Sequence, residues 1–165
     1  MEPAPSDIWM PEHILVFSLD GRHYALPLER VERVMLSVDL TPLPGAPDVI
    51  IGAFDMQGAV VPVVEFRNRL KLPARDISVS DKFIITRMRK RSVAVRVDEI
   101  RGVVECDPGQ IIPPHSVAPG LENVTGILRL GDGIVLIYDI DGFLSIDEEK
   151  ALDESANKVM RDTGR

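Results

Sequence analysis

Tyr24-Ala-Leu-Pro-Leu-Glu-Arg-Val-Glu-Arg-Val34 returns, 69 residues further on, as Val93-Ala-Val-Arg-Val-Asp-Glu-Ile-Arg-Gly-Val103. Both stretches alternate apolar residues, run into an acid and end on aliphatics at the same spacing. A second pair follows in the same order: Gly52 through Val60-Val-Pro-Val-Val-Glu-Phe66 to Leu70 matches Gly126 through Ile134-Val-Leu-Ile-Tyr-Asp-Ile140 to Leu144, at an offset of 74. Two collinear matches imply a duplicated unit too long for a solenoid repeat, and so two similar small β subdomains.

Working outward, the elements read mostly as strands. His13–Leu19 and His23–Leu28 flank Asp20-Gly21, a strong hairpin signal, and Val31–Leu36 continues as strand. Pro42, Pro44, Gly45 and Pro47 make a stiff loop. Ile50–Met56 and Ala59–Val64 form a second hairpin whose Val60–Val64 run is apolar on both faces, as a buried strand requires. Pro62, lacking an N–H, favours an edge or a bulge. After a short helical turn near Glu65–Leu70 and a linker over Lys71–Asp81, the second copy repeats the plan with Lys82–Met88, Ser92–Val97, Gly102–Glu105, Thr125–Leu130 and Ile134–Asp139. Ser145 and Glu148 have the spacing of a capping box, which predicts a helix over 146–160. The expected division is a loose leader over 1–12, a first barrel over 14–72, a second over 82–145, this helix, and a flexible tail over 161–165.

At 165 residues and 45% apolar content the chain can bury a core. Acids outnumber bases 26 to 19, which disfavours phosphate and anionic lipid as general partners. One cysteine, Cys106, permits no internal disulfide and points to a reducing compartment. No signal-like start and no apolar run of bilayer length is present, so a cytoplasmic protein without direct membrane insertion is expected.

Catalysis finds no support. His13, His23 and His115 are scattered, and Cys106 sits between Glu105 and Asp107, whose charges oppose a thiolate. Asp132, Asp139 and Asp141 lack the rest of a calcium loop, and no phosphate-cradling glycine loop occurs. No cofactor and no metal is expected. The basic run Arg87, Arg89, Lys90 and Arg91 raises nucleic-acid binding, yet the eight aromatic residues do not interleave it.

The order of Tyr24-Ala-Leu-Pro-Leu with Val31 and Val34, then Gly52, then Gly58-Ala-Val-Val-Pro-Val-Val-Glu-Phe-Arg67, then Val95 to Val103, Gln110-Ile111 and Gly133-Ile-Val-Leu-Ile-Tyr-Asp-Ile140 resembles the chemotaxis coupling protein family CheW. The resemblance spans about Ile14 to Leu152. It implies an all-β fold of two similar five-stranded SH3-like β-barrels packed together, with a C-terminal α-helix. It also implies a non-catalytic adaptor that joins chemoreceptor cytoplasmic tips to a CheA-type histidine kinase and is recruited to receptor arrays. A CheW-like scaffold outside motility, in pilus or second-messenger control, is the alternative; a nucleic-acid-binding barrel ranks below it.

The resemblance places a receptor-binding groove at Val31, Arg33, Val34, Gly52, Asp55, Gln57 and Gly58. Two members depart from the family pattern: Arg33 stands where an acid is frequent, and Gln57 where an arginine is. Either recognition is altered for a divergent partner or exposed residues have drifted. Kinase contact is expected at Met35, Leu36, Val38 and Leu40, so that Val38→Asp or Leu40→Asp would abolish binding in a folded protein. A second kinase contact is expected at Ile112 and Val117, with Ile111 tucked under the barrel.

Overall fold

The computed structural model describes residues 11–114, 123–131 and 133–163. Its strands are β1 (His13–Leu19), β2 (Arg22–Pro27), β3 (Val31–Leu36), β4 (Ile50–Met56), β5 (Ala59–Val64), β6 (Lys82–Arg87), β7 (Ser92–Val97), β8 (Glu99–Glu105), β9 (Ile111–Ile112), β10 (Val124–Leu130) and β11 (Gly133–Tyr138). Helix α1 (Phe66–Leu70) follows β5, and α2 (Ile146–Thr163) closes the chain, three residues longer than its sequence pattern predicts. Asp20 and Gly21 turn β1 into β2 with φ of 52° and 76°, as the Asp-Gly pair requires. The β10–β11 turn sits one residue earlier than expected, since Leu130 pairs with Gly133.

The strands form two sheets, in the orders β8-β1-β2-β11-β10-β9 and β3-β6-β7-β5-β4. These are the two SH3-like barrels, each of five principal strands, with the two-residue β9 added to the first. They do not follow the two halves of the chain. β1 and β2 join β8, β10 and β11, whereas β3, β4 and β5 join β6 and β7. The expected barrel limits of 14–72 and 82–145 are therefore corrected: one barrel joins β1 and β2 of the first copy to β8, β10 and β11 of the second, and the other joins β3, β4 and β5 of the first to β6 and β7 of the second. The reason lies in connection geometry. The 3₁₀ turn Leu28–Arg30 carries the chain from β2 across to β6, and Asp98 alone separates β7 from β8 as the chain crosses back to β1.

This interleaving explains why most residues of β1, β5 and β7 are buried on both faces. Ile14, Val16 and Ala25 point into the first barrel with Leu128, Val135 and Ile137. Phe54, Val61, Val63, Phe83, Ile85 and Ala94 fill the second. The alternate residues, among them Phe17, Tyr24, Leu26, Val64, Val95 and Tyr138, meet in a larger central core. Stacked Phe66 and Phe143, with centroids 4.3 Å apart, lie in that core, and Leu152 of α2 seals it. Pro62 lies in an internal strand, not at an edge. It pairs with Ala53 of β4, while the parallel β5–β7 ladder begins only at Val63, so its missing N–H costs no ladder bond to β7.

Candidate functional site

Among the described residues β3 is an edge strand that hydrogen-bonds only to β6, and the residues expected to meet the kinase at 35–40 sit at its end and just beyond it. Met35 turns inward against the core of its barrel. Leu36 at 62% and Val38 at 40% exposure point outward, beside an exposed Val34. The chain beyond β3 is held to the 71–81 connection, with the Ser37 N–H on the Asp81 carbonyl at 3.1 Å and its hydroxyl on the Ser78 carbonyl at 2.9 Å. That fixes Leu36 and Val38 as an aliphatic rim on either side of Ser37, while exposed Ile77 and Val79 flank its partner Ser78.

Leu40 differs from expectation. After Val38 the chain folds back onto β4, where Thr41 and Ala53 exchange backbone hydrogen bonds of 2.8 and 2.9 Å. This lays half-buried Leu40 over Gly52, so closely that a Cβ on Gly52 would stand 2.9 Å from the Leu40 Cβ. The second copy repeats the device: a Cβ on Gly126 would stand 2.4 Å from Cγ2 of Ile111, which is buried as expected. Leu40 and Gly52 are thus packing partners rather than members of two separate surfaces.

The other groove residues are divided. Val31 is half-buried against the central core, Arg33 is exposed, and Asp55, Gln57 and Gly58 cap the β4–β5 hairpin in the open. Gln57 and Gly58 both have positive φ, 54° and 90°, and Asp55 accepts a long 3.5 Å bond from the Gly58 N–H. Arg33 lies on edge strand β3, and Gln57 in the turn that leaves β4, the opposite edge strand of the same sheet, with β6, β7 and β5 between the two edges. Among the described residues no hydrogen bond or ion pair joins them. Ile112 pairs with Ile127 and packs half-buried on the central core; Val117 lies outside the described residues.

The basic run at the β6–β7 turn is partly committed to structure. Arg91 pairs with Asp153 of α2, and the Arg89 N–H donates to Asp141, which also takes Arg30 at 2.5 Å. Among the described residues no group of three or more His, Cys, Asp or Glu could hold a metal ion, and no helix is long and apolar enough to cross a membrane.

Sequence reasoning missed a buried ion network. Arg67 and Arg96 are each only 1% exposed. Arg67 donates to Asp98 at 2.7 Å and Asp20 at 3.0 Å; Arg96 pairs with Glu65 and donates to the Arg75 carbonyl at 2.6 Å; Arg75 bridges Asp81 at 2.7 Å and Asp98 at 2.5 Å. Burial pushes the Glu65 carboxyl up despite Arg96 and Arg67 beside it. Burial also acts to raise Asp98, but bonds from Arg67, the Asp20 N–H and Arg75 more than offset it and hold the carboxyl below its usual range. One signal was available: Arg96 is the only charged residue in Ser92–Val97, with apolar residues on either side of it.

Comparison with known proteins agrees with this geometry. The family model of the CheW-like domain matches residues 13–148. "Chemotaxis protein CheW" of Rhizobium meliloti is 23% identical over 140 residues, covering 84% of this chain and 90% of that protein. Its namesake from Bacillus subtilis is 29% identical over 122 residues, covering 74% of this chain and 76% of the relative. In three dimensions the chain superposes with a TM-score of 0.75 on the crystal structure of the scaffolding protein TtCheW from Thermoanaerobacter tengcongensis, at 27% identity, over 85% of this chain and 92% of that one. With the match running through both barrels, the chain belongs to the CheW-like domain family.

Proposed function

We propose that the chain is a non-catalytic adaptor that couples chemoreceptor tips to a CheA-type histidine kinase in a chemosensory array. The observation that carries this reading is the outward rim of Leu36, at the end of edge strand β3, and Val38 just beyond it, in a chain whose family match covers both barrels. Exposed aliphatics fixed by backbone bonds on both sides gain by being covered and lose little entropy when they are. The kinase-facing surface is assigned to Leu36 and Val38, with Met35 and Leu40 holding it from beneath. The receptor-facing groove is assigned to Val31, Arg33, Val34 and the Asp55–Gly58 tip, with buried Gly52 shaping it from beneath Leu40. Ile112 and Val117 supply a second kinase contact.

Arg33 and Gln57 set the choice of receptor in this reading. Co-sedimentation with the cognate receptors and kinase tests it: added protein is expected to increase kinase recruitment. The double variant Arg33→Glu, Gln57→Arg is expected to lose about 1–3 kcal/mol of receptor affinity through mismatched contacts. Unchanged recruitment would overturn the adaptor role, and equal receptor affinity would overturn the assignment of these two residues.

A further inference from the structure

Within either half of the chain, the ladders that close are hairpins. The first half contains β1–β2 and β4–β5; the second contains β6–β7 and β10–β11 with the short β9–β10 contact. Every other ladder among the described residues crosses between halves: β1 with β8, β2 with β11, β3 with β6, and β5 with β7. Among the described residues β3 has its only ladder with β6, and β8 its only ladder with β1. The cores are mixed in the same way, with Ile14, Val16 and Ala25 packed on Val135 and Ile137, and Phe54, Val61 and Val63 on Phe83 and Ile85. Isolated two-stranded hairpins are marginal in water. Each half is therefore a surface whose complement is the other half, and the halves are joined covalently only through the eleven residues 71–81, which contain no helix or strand.

Nothing in the strand pairing requires the complementary half to come from the same chain. We propose that the protein also assembles in trans: two copies exchange halves, 13–70 of one with 82–163 of the other, and form an intertwined dimer whose barrels are those of the monomer. The partner is a second copy of this chain, because each crossing ladder and mixed core is satisfied unchanged by the same residues. The connection holds the halves at an effective concentration on the order of millimolar, so dilute refolding gives monomer and concentrated refolding gives dimer. Such a dimer carries the Leu36 and Val38 rim twice.

The test uses the full chain with Cys106→Ala as background and the pair His13→Cys, Glu105→Cys. These exposed residues face each other across the β1–β8 ladder, which joins the two halves. Facing Cα atoms of an antiparallel pair lie about 4.5–5.5 Å apart, within disulfide reach of about 4.4–6.8 Å. The disulfide is intrachain in the monomer and interchain in the exchanged dimer. A control pair, Arg87→Cys with Ser92→Cys, sits in the β6–β7 hairpin inside one half and is intrachain in both. After unfolding, refolding and oxidation, denaturing non-reducing gels are expected to show covalent dimers for the first pair only. Their share should rise about tenfold for a tenfold increase in chain concentration while dimer is the minor species. No dimer above the control at any concentration, or equal dimer from both pairs, would overturn the proposal.

Discussion

At the scale of single residues, the backbone explains positions that composition leaves blank. Gln57 occupies the left-handed region in a two-residue hairpin turn, at φ of 54°, followed by Gly58 at 90°. Asparagine adopts that region more readily because its short side chain bonds locally. Gln57→Asn is expected to stabilise the protein by about 0.5–1 kcal/mol, seen as a rise in Tm of roughly 1–4 °C. Gly52 also has a positive φ, 153°, and answers to a second constraint, since its missing side chain is the space that Leu40 and the Thr41 carbonyl fill. Gly52→Ala should cost about 1–3 kcal/mol by overpacking, and Leu40→Gly in the same chain, which removes the Cβ that the new methyl would meet, should return part of that loss. Strictly additive losses in thermal unfolding would refute the contact. The role of glycine here was invisible in the sequence, which marks both Gly52 and Gly126 as repeated without saying what lies above them.

Local elements were the most readable. The Asp-Gly hairpin and the capping box depend on a few adjacent residues, and the latter forms as expected: the Glu148 N–H donates to the Ser145 hydroxyl at 3.1 Å and the Ser145 N–H to Glu148 at 2.9 Å. Ser145→Ala should cost about 1 kcal/mol of stability, measured by denaturant unfolding. The segment after β3 was harder to read, because Leu36, Val38 and Leu40 share one parity and would share one face if the strand continued. It ends at Leu36, and the bridge between Thr41 and Ala53 turns Leu40 inward. Leu36→Asp and Val38→Asp are accordingly expected to keep the Tm within a few degrees while reducing kinase co-sedimentation at least tenfold. Leu40→Asp buries a charge and should instead lower the Tm by well over 5 °C. Equal melting of all three variants would contradict the inward placement of Leu40.

For the molecule as a whole, duplication fixed what pairs but not which copy supplies it. A β1-like strand bonds a β3-like strand equally well from either repeat, so sequence patterns are the same for sequential and interleaved barrels. The ion network was concealed for a related reason: Asp20, Glu65, Arg75, Asp81, Arg96 and Asp98 converge only after the chain has crossed between sheets twice. Its two perturbed acids act on stability in opposite directions. Asp98 titrates below its unfolded range, so its contribution is complete above about pH 4 and is lost as pH falls through the depressed folded value. Glu65 titrates above its range, so its contribution is complete below about pH 4 and is lost as pH rises through the raised folded value. Asp98→Asn should therefore lower stability by about 2–4 kcal/mol at pH 7, since it removes a partner of buried Arg67, and by less near pH 3. Glu65→Gln should show the reverse trend, its stability improving relative to the parent as pH rises from about 4. Tm profiles from pH 3 to 8 for the parent and both variants separate these effects, and parallel profiles would show that the network does not couple folding to protonation.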